Sequence, residues 1–461
     1  MSESSIEAIV ARSKAAQARY ENGGSQERYD RATQAAAWAM MEPARNRDLA
    51  ELAVQTTGLG NVPDKITKNH RKTLGLMRDL KDAVTYGVIS DEPATGITEI
   101  ARAKGVVGAI VPSTNPAATP ANNIINALKC GNSIVIAPSP KGVACAERLL
   151  GYVHAEFAKI GEDPNLVQMV PAPGSKEKTQ ALMAACDMIV ATGSQNNVHR
   201  AQTAGTPAVA VGAGNVTVIV DETADLEAAA EKVRASKCFD NATSCSSENA
   251  VVVVDAAYAS FIVAMEQAGG ALVDDEAGIV AKLWPDGHLN RSVIAQDADK
   301  MIAALDLDVA EGTEYIAVPT KGIGPQYPMS GEKLSRVLAL YRAADFDEAV
   351  AITRRIQDHQ GAGHSVGLHS TDDSRAMVLA KSIPTSRVIV NQAHTFATGG
   401  SFTNGMPFSL SMGCGSWGGN SVNDNVNYRH FLQSTKIVRE IPSREPSLDD
   451  IFSDYWRESG Q

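Results

Sequence analysis

Ser133-Ile-Val-Ile-Ala137 is the first of five short apolar runs, and Leu166–Val170, Met188–Ala191, Ala208–Val211 and Val216–Val220 follow it. Between them the chain carries helical patterning at Val143–Lys159, Ser175–Ala185 and Asn197–Ala204. Runs this short and this uniformly apolar read as strands buried on both faces. Buried strands alternating with amphipathic helices predict an α/β fold, a doubly wound parallel sheet of the nucleotide-binding kind.

Upstream, Ile6, Ile9 and Val10 mark one amphipathic helix and Tyr29–Thr57 a longer one, before the pattern turns to strands at Ile97–Ile100 and Val106–Val111. Downstream, Asp225–Ser236 reads as a helix, residues 237–248 as a polar loop and Asn249–Val254 as a strong strand. A second α/β alternation follows. Its helices lie near Tyr258–Gln267 and Asp345–Gln357, its strands near Glu314–Val318, Val337–Tyr341 and Arg387–Asn391. The stretch His394–Asn427 is rich in Gly, Ser and Asn and reads as loops packed on a site. Residues 431–441 suggest a strand and Leu448–Trp456 a terminal helix. The predicted organisation is a cofactor-binding domain over 1–235 with an oligomerisation element near 113–130, a catalytic domain over 236–430, and a C-terminal oligomerisation strand and helix over 431–461.

The 461 residues carry a formal charge of −11, with 44% hydrophobic and 21% charged residues. That balance suits a globular chain, and its sign argues against nucleic acid as a partner. No apolar run approaches the ~18 residues that span a bilayer. Neither does the N-terminus show a basic patch followed by an apolar core. The six cysteines are scattered without C-x-x-C spacing, which fits a reducing compartment. A soluble cytoplasmic protein with no membrane partner is expected.

Chemistry concentrates at a few places. Cys245 lies in the polar loop Phe239-Asp-Asn-Ala-Thr-Ser-Cys-Ser-Ser-Glu248, between a helix and a strand, where a thiol is within a substrate's reach. The other cysteines sit mostly among apolar neighbours. The turn Ala191-Thr-Gly-Ser194 follows a buried strand and opens a helix, a position where free N–H groups meet a pyrophosphate or where the chain simply turns. In Val211-Gly-Ala-Gly-Asn215 a strand follows the glycines, so the dinucleotide fingerprint fails there. His359, His364 and His369 recur every five residues, which does not put ligands on one helical face, and no metal is expected. His364 sits in a glycine loop as a candidate proton carrier. Asn115, just past a strand end, is either a turn residue or an amide donor to an oxyanion.

The ordered series Thr114-Asn-Pro116, Ala191–Ser194, Val211–Asn215, Phe239–Glu248, Gly361-Ala-Gly-His364 and Gly413-Cys-Gly-Ser-Trp-Gly-Gly-Asn420 resembles the CoA-acylating branch of the aldehyde dehydrogenase superfamily. The resemblance runs from about residue 5 to 440 and implies a doubly wound nucleotide-binding domain, an α/β catalytic domain and a small oligomerisation β-element. It makes Cys245 the nucleophile and Asn115, with the Cys245 N–H, the oxyanion donor. Pro138, Ser139, Gly193, Ser194, Gly212 and Glu332 fall where the family binds NAD or NADP. Coenzyme A is the implied co-substrate, and His364 is expected to help deprotonate its thiol.

Two departures from hydrolytic relatives bear on the reaction. The segment Ala210–Asn215 has no carboxylate where those enzymes keep the base that activates water. Ala137 stands where many of them have a ribose-binding lysine, leaving NAD against NADP open. The expected reaction is reversible oxidation of a short aldehyde to an acyl-CoA. Sulfoacetaldehyde and succinate semialdehyde are the leading substrates, with acetaldehyde or propionaldehyde behind them. Ser113, Thr114, Ser246 and Arg387 are candidate contacts for an anionic tail, although the hydroxyls equally suit loop capping. Phe402, Met406 and Phe408 suggest a compact pocket. A hydrolytic dehydrogenase and a catalytically silent oligomer are the rivals, and a homodimer or homotetramer is expected from the family.

Overall fold

A parallel five-stranded sheet forms where the apolar runs predict one. The structure is a computed structural model and describes residues 5–212 and 214–460. Four helices come first: α1 (Ile6–Asn22), α2 (Gln26–Met41), α3 (Pro43–Thr57) and α4 (Val62–Leu80). The helix expected over Tyr29–Thr57 is thus two. Pro43 cannot continue α2, and the Glu42 carboxylate caps the new start by accepting from the Ala44 and Arg45 N–H groups.

A small antiparallel sheet joins β1 (Val88–Glu92) and β2 (Ile97–Ala103) to the last strand of the chain, Leu432–Val438. The five-stranded sheet then uses β3 (Val106–Val111), β4 (Ser133–Pro138), β5 (Val167–Met169), β6 (Met188–Thr192) and β7 (Ala208–Val211), in the order β5-β4-β3-β6-β7. Val107 of β3 pairs with both Ile134 and Met188. Helices α5 (Ala118–Lys129), α6 (Val143–Ile160), α7 (Lys176–Ala185) and α8 (Gln195–Gln202) connect these strands. Strand order reverses between β3 and β6, the switch point at which ligands of open α/β sheets bind.

The second sheet is also parallel and has seven strands: β8 (Val216–Val220), β9 (Glu248–Val254), β10 (Gly270–Leu272), β11 (Tyr315–Pro319), β12 (Val337–Ala343), β13 (Val366–His369) and β14 (Val388–Val390). Their order is β10-β11-β12-β9-β8-β13-β14. Val216–Val220 therefore leaves the first sheet, where the sequence pattern placed it, and pairs with β9 and β13 of the second. The change of sheet falls between Val211 and Val216, ahead of α9 (Leu226–Cys238), and not at residue 235. An apolar run demands burial on both faces but does not choose which neighbours provide it. Ala213 lies outside the described residues.

Residues 113–130 are not a surface element for a partner. Helix α5 is buried along its whole length and packs against α2 and α4 within the chain. The small β-element is instead β1, β2 and β15 (Leu432–Val438), whose outermost residues are exposed.

Candidate active site

The carboxyl ends of β3, β4 and β6 open into a cavity of about 700 Å³, closed on its far side by the loop before β9, by Glu332 and by residues 395–412. Eleven of the thirteen expected site residues line this one cavity: Ser113, Thr114, Asn115, Pro138, Ser139, Gly193, Ser194, Gly212, Cys245, Ser246 and Glu332. Of the six cysteines, five are buried and Cys245 alone is half-buried. Burial, reinforced by Glu332 and Cys414, pushes its thiol up to about 12, with Arg387 pulling weakly the other way. At neutral pH Cys245 is thus held as a protonated thiol.

A strained turn delivers that cysteine. Asp240, Asn241 and Ala242 take φ values of +48°, +54° and +60°, three left-handed residues in a row without a glycine. Such positions cost on the order of 1–3 kcal/mol each and persist only when surroundings over-determine them. Here the Asn61 N–H donates to Asp240 Oδ1 at 3.1 Å, Arg336 donates twice to Asn241 Oδ1 at 2.7 and 3.1 Å, and Asn241 Nδ2 donates to Asp297 at 2.9 Å. Nearby, Gly214 permits a close approach: a methyl group there would lie 2.4 Å from the Cys245 carbonyl oxygen and 3.0 Å from the His364 ring.

Asn115, the expected oxyanion donor, is oriented from α4. Lys68 Nζ donates to Asn115 Oδ1 at 3.0 Å, so the carbonyl side of that amide is taken and its NH₂ is left for the cavity. Lys68 is itself held by Asp240 and by Thr243 Oγ1 at 3.0 Å, both on the cysteine loop. Lys65 Nζ bonds Asp240 at 3.1 Å and the Thr114 carbonyl at 3.1 Å. One buried carboxylate and two lysines therefore tie the Cys245 loop to the Asn115 loop. Asn115→Ala is expected to lower kcat by about 10²–10³, the usual cost of one oxyanion donor. A loss below tenfold in the aldehyde- and CoA-dependent NAD(P)H assay would remove Asn115 from that role.

The dinucleotide side of the cavity suits its ligand. Ser139 Oγ is buried, lines the cavity and has no hydrogen-bond partner. Gly193 has φ +146°, a backbone only glycine adopts readily, and α8 starts two residues later with its free N–H groups. Lys176 and Arg200 stand at this end as cations for a phosphate. Glu332 is the only carboxylate among the described residues lining the cavity. Burial pushes it up to about 8 against the pull of Lys237 and Lys333, so it keeps its proton at neutral pH.

Two expected site residues lie outside. His364 does not line the cavity. It is buried, its Nδ1 meets Ser365 Oγ at 2.7 Å, and burial together with Arg387 pushes it down to about 3. At neutral pH its imidazole is uncharged. Arg387 is not a substrate contact either. Its donors go to Asn425 Oδ1 and to the carbonyls of His364, Gly413 and Asn423, at 2.9–3.4 Å, which makes it a staple between loops. Ser246 does line the cavity, but its hydroxyl is engaged with Ser244 at 2.7 Å. The apolar wall comes from Phe239, Leu410 and Met412, not from Phe402, Met406 or Phe408.

The cations of α4 escaped the sequence reading. Lys65, Lys68 and Lys72 recur at helical spacing and are all buried, with Arg71 beside them. A basic stripe on the face of a helix that must turn inward was the available signal.

A profile of the aldehyde dehydrogenase family matches residues 1–278, more than half of the chain. The chain belongs to that family. Its acylating branch is shown by a sulfoacetaldehyde dehydrogenase (acylating) of Cupriavidus necator, which is 54% identical over 460 residues, covering 99% of this chain and 93% of that protein. Among solved structures, an acetylating aldehyde dehydrogenase of Geobacillus thermoglucosidasius superposes with a TM-score of 0.91 at 28% identity, over 96% of this chain and 98% of that one. A propionaldehyde dehydrogenase of Rhodopseudomonas palustris, solved with bound CoA and an acylated cysteine, gives 0.85 at 25% identity over 95% and 98%. The aldehyde dehydrogenase fold, with its nucleotide-binding and catalytic sheets, is thus confirmed.

Proposed function

We propose that this acylating aldehyde dehydrogenase oxidises a short anionic aldehyde, sulfoacetaldehyde foremost, to its CoA thioester through Cys245, reversibly and with NAD or NADP. The observation that carries the reading is a half-buried cysteine facing a cavity in which Glu332, pushed up to about 8 by burial, is the one carboxyl among the described residues. A carboxyl that already holds its proton takes none from water, so the acyl group waits for a second thiol. The identity to the Cupriavidus enzyme supports the sulfonate.

In the proposed sequence Cys245 sulfur adds to the aldehyde carbon, its proton leaves, and the carbonyl electrons move onto oxygen, where the Asn115 amide and the Cys245 N–H receive them. Ser139 and Gly193 would hold a dinucleotide, which when bound would supply the acceptor for the hydride lost from that carbon. Cys245 then carries a thioester. The CoA sulfur displaces it, and the Cys245 thiolate leaves to regain its proton. Phe239, Leu410 and Met412 keep the acyl group on an apolar wall. Lys176 and Arg200 favour a ligand phosphate at the far end, in keeping with NADP or with CoA.

Without CoA, the enzyme is expected to release about one NAD(P)H per site and then stall, and added CoA restores steady turnover. Steady NAD(P)H formation that ignores CoA would assign the chain to hydrolysis. We further propose a cytoplasmic homo-oligomer. The free cysteines support the compartment, and the exposed outer edge of β15 supports association, since such an edge invites pairing.

A further inference from the structure

Two cations on the wall of the cavity have no counter-charge among the described residues. Arg71 and Lys72, adjacent on α4, both line the cavity. Arg71 Nη2 donates to the carbonyls of Phe396 and Gly400 at 2.8 and 3.3 Å, and its guanidinium lies 5.0 Å from the centre of the Phe396 ring. No hydrogen bond uses its Nε or Nη1. Lys72 Nζ donates to the carbonyls of Gly399 and Ser409, leaving a third N–H. The charged or titratable groups acting on Lys72 are Arg71, Lys68 and Cys245, and none of them is a carboxylate. Nothing but burial acts on Arg71.

Buried charge without a partner is costly, and the cost is removed when a ligand brings the opposite sign. The adjacent Lys68 is no exception, because it shares the one carboxylate of Asp240 with Lys65. Burial among cations pushes Lys72 down to about 7, the behaviour of an ammonium awaiting an anion. An independent sign sits in the same wall. Thr395 is 6% exposed, lines the cavity, and its hydroxyl has no hydrogen-bond partner.

We infer that Arg71 and Lys72, with the Thr395 hydroxyl, form the subsite that binds the anionic tail of the aldehyde, an oxyacid group such as sulfonate or carboxylate. The inference rests on the proposed anionic substrate and names the residues that select it. The three groups present donors from guanidinium, ammonium and hydroxyl to one set of oxygens, and charge-assisted bonds of this kind are the strong ones. The same contacts let the cysteine wall remain apolar, since charge recognition is moved to α4. Both cations also anchor the 396–409 loop, and they do so through backbone carbonyls and not through an acidic residue that would repel the substrate.

The test compares sulfoacetaldehyde, succinate semialdehyde and uncharged propionaldehyde in wild-type enzyme and in Arg71→Met, Lys72→Met, Arg71→Lys and Thr395→Val. The ratio of kcat/KM for the anionic aldehydes over propionaldehyde is expected to fall at least thirtyfold in Arg71→Met and Lys72→Met, through KM, with partial rescue in Arg71→Lys and a smaller loss in Thr395→Val. Which anionic aldehyde has the larger wild-type kcat/KM separates sulfonate from carboxylate. Methanesulfonate is expected to compete with the aldehyde in the wild type, which keeps the test decisive if a variant fails to fold. An unchanged ratio, an equal loss on all three aldehydes, or no competition by methanesulfonate overturns the subsite. CoA dependence is read separately: turnover of the preferred aldehyde that ignores CoA removes the acylating reading, whereas CoA-dependent turnover without anionic preference removes only the subsite.

Discussion

Cys245→Ala is expected to lose at least about 10⁴-fold in aldehyde-dependent NAD(P)H production while staying folded, since removing a covalent nucleophile ranks among the largest single losses known for enzymes. Alanine at this half-buried position deletes one sulfur and leaves the turn before it untouched. The wild type, incubated with aldehyde and dinucleotide but no CoA, should gain the mass of one acyl group on the peptide containing Cys245, and the variant should gain none. A residual rate within tenfold of wild type would place the chemistry elsewhere. A pH dependence follows from the buried thiol. With the thiol pushed up to about 12, the thiolate fraction of the free enzyme rises about tenfold per pH unit through neutral and moderately alkaline pH. Iodoacetamide labelling of Cys245 should climb with that slope, and a plateau near pH 8 would contradict it.

Asp240→Asn is expected to destabilise the protein by about 3–5 kcal/mol, because it leaves Lys65 and Lys68 buried without their shared carboxylate. Asparagine tolerates the left-handed conformation found at residue 240, so the substitution tests charge and not backbone strain. Burial by itself would raise the Asp240 carboxyl, but Lys68 and Lys65 outweigh it and hold the group below the usual aspartate range. Its contribution is accordingly present above the unfolded aspartate value and is lost as pH falls through the lowered native one. The denaturation midpoint at neutral pH should drop in the variant, and the difference from wild type should shrink in strong acid. Activity should fall as well, because Lys68 would no longer be held where it orients Asn115. A midpoint shift worth less than about 1 kcal/mol would mean that the lysines find other partners or lose their protons at little cost.

The fold was largely legible because burial repeats with a short period. The strands at 133–138, 188–192, 248–254 and 337–343 stand where apolar runs placed them, within a residue or two. Sheet membership was not legible, and Val216–Val220 shows why: its side chains are buried in either sheet, and only the pairing with Val251 and Gly367 decides. At the site, loop position and motif order singled out Cys245 and Asn115, which the structure brings to one cavity. His364 and Arg387 lie off that cavity, because a polar residue in a loop looks the same in sequence whether it faces a ligand or a carbonyl. The α4 cations were overlooked because lysines at helical spacing ordinarily face water.

By itself the sequence determined the alternation of strands and helices, the cysteine in a polar loop at 245 and the lack of a carboxylate over 210–215, since each is a property of neighbouring residues along the chain. Tertiary structure alone decided which cations are buried against the cavity, which amide end Asn115 presents, and which histidine is silenced. Those outcomes depend on groups brought together from up to 337 positions apart, as Lys72 is with Ser409, and on the loss of water around them, which no local pattern encodes.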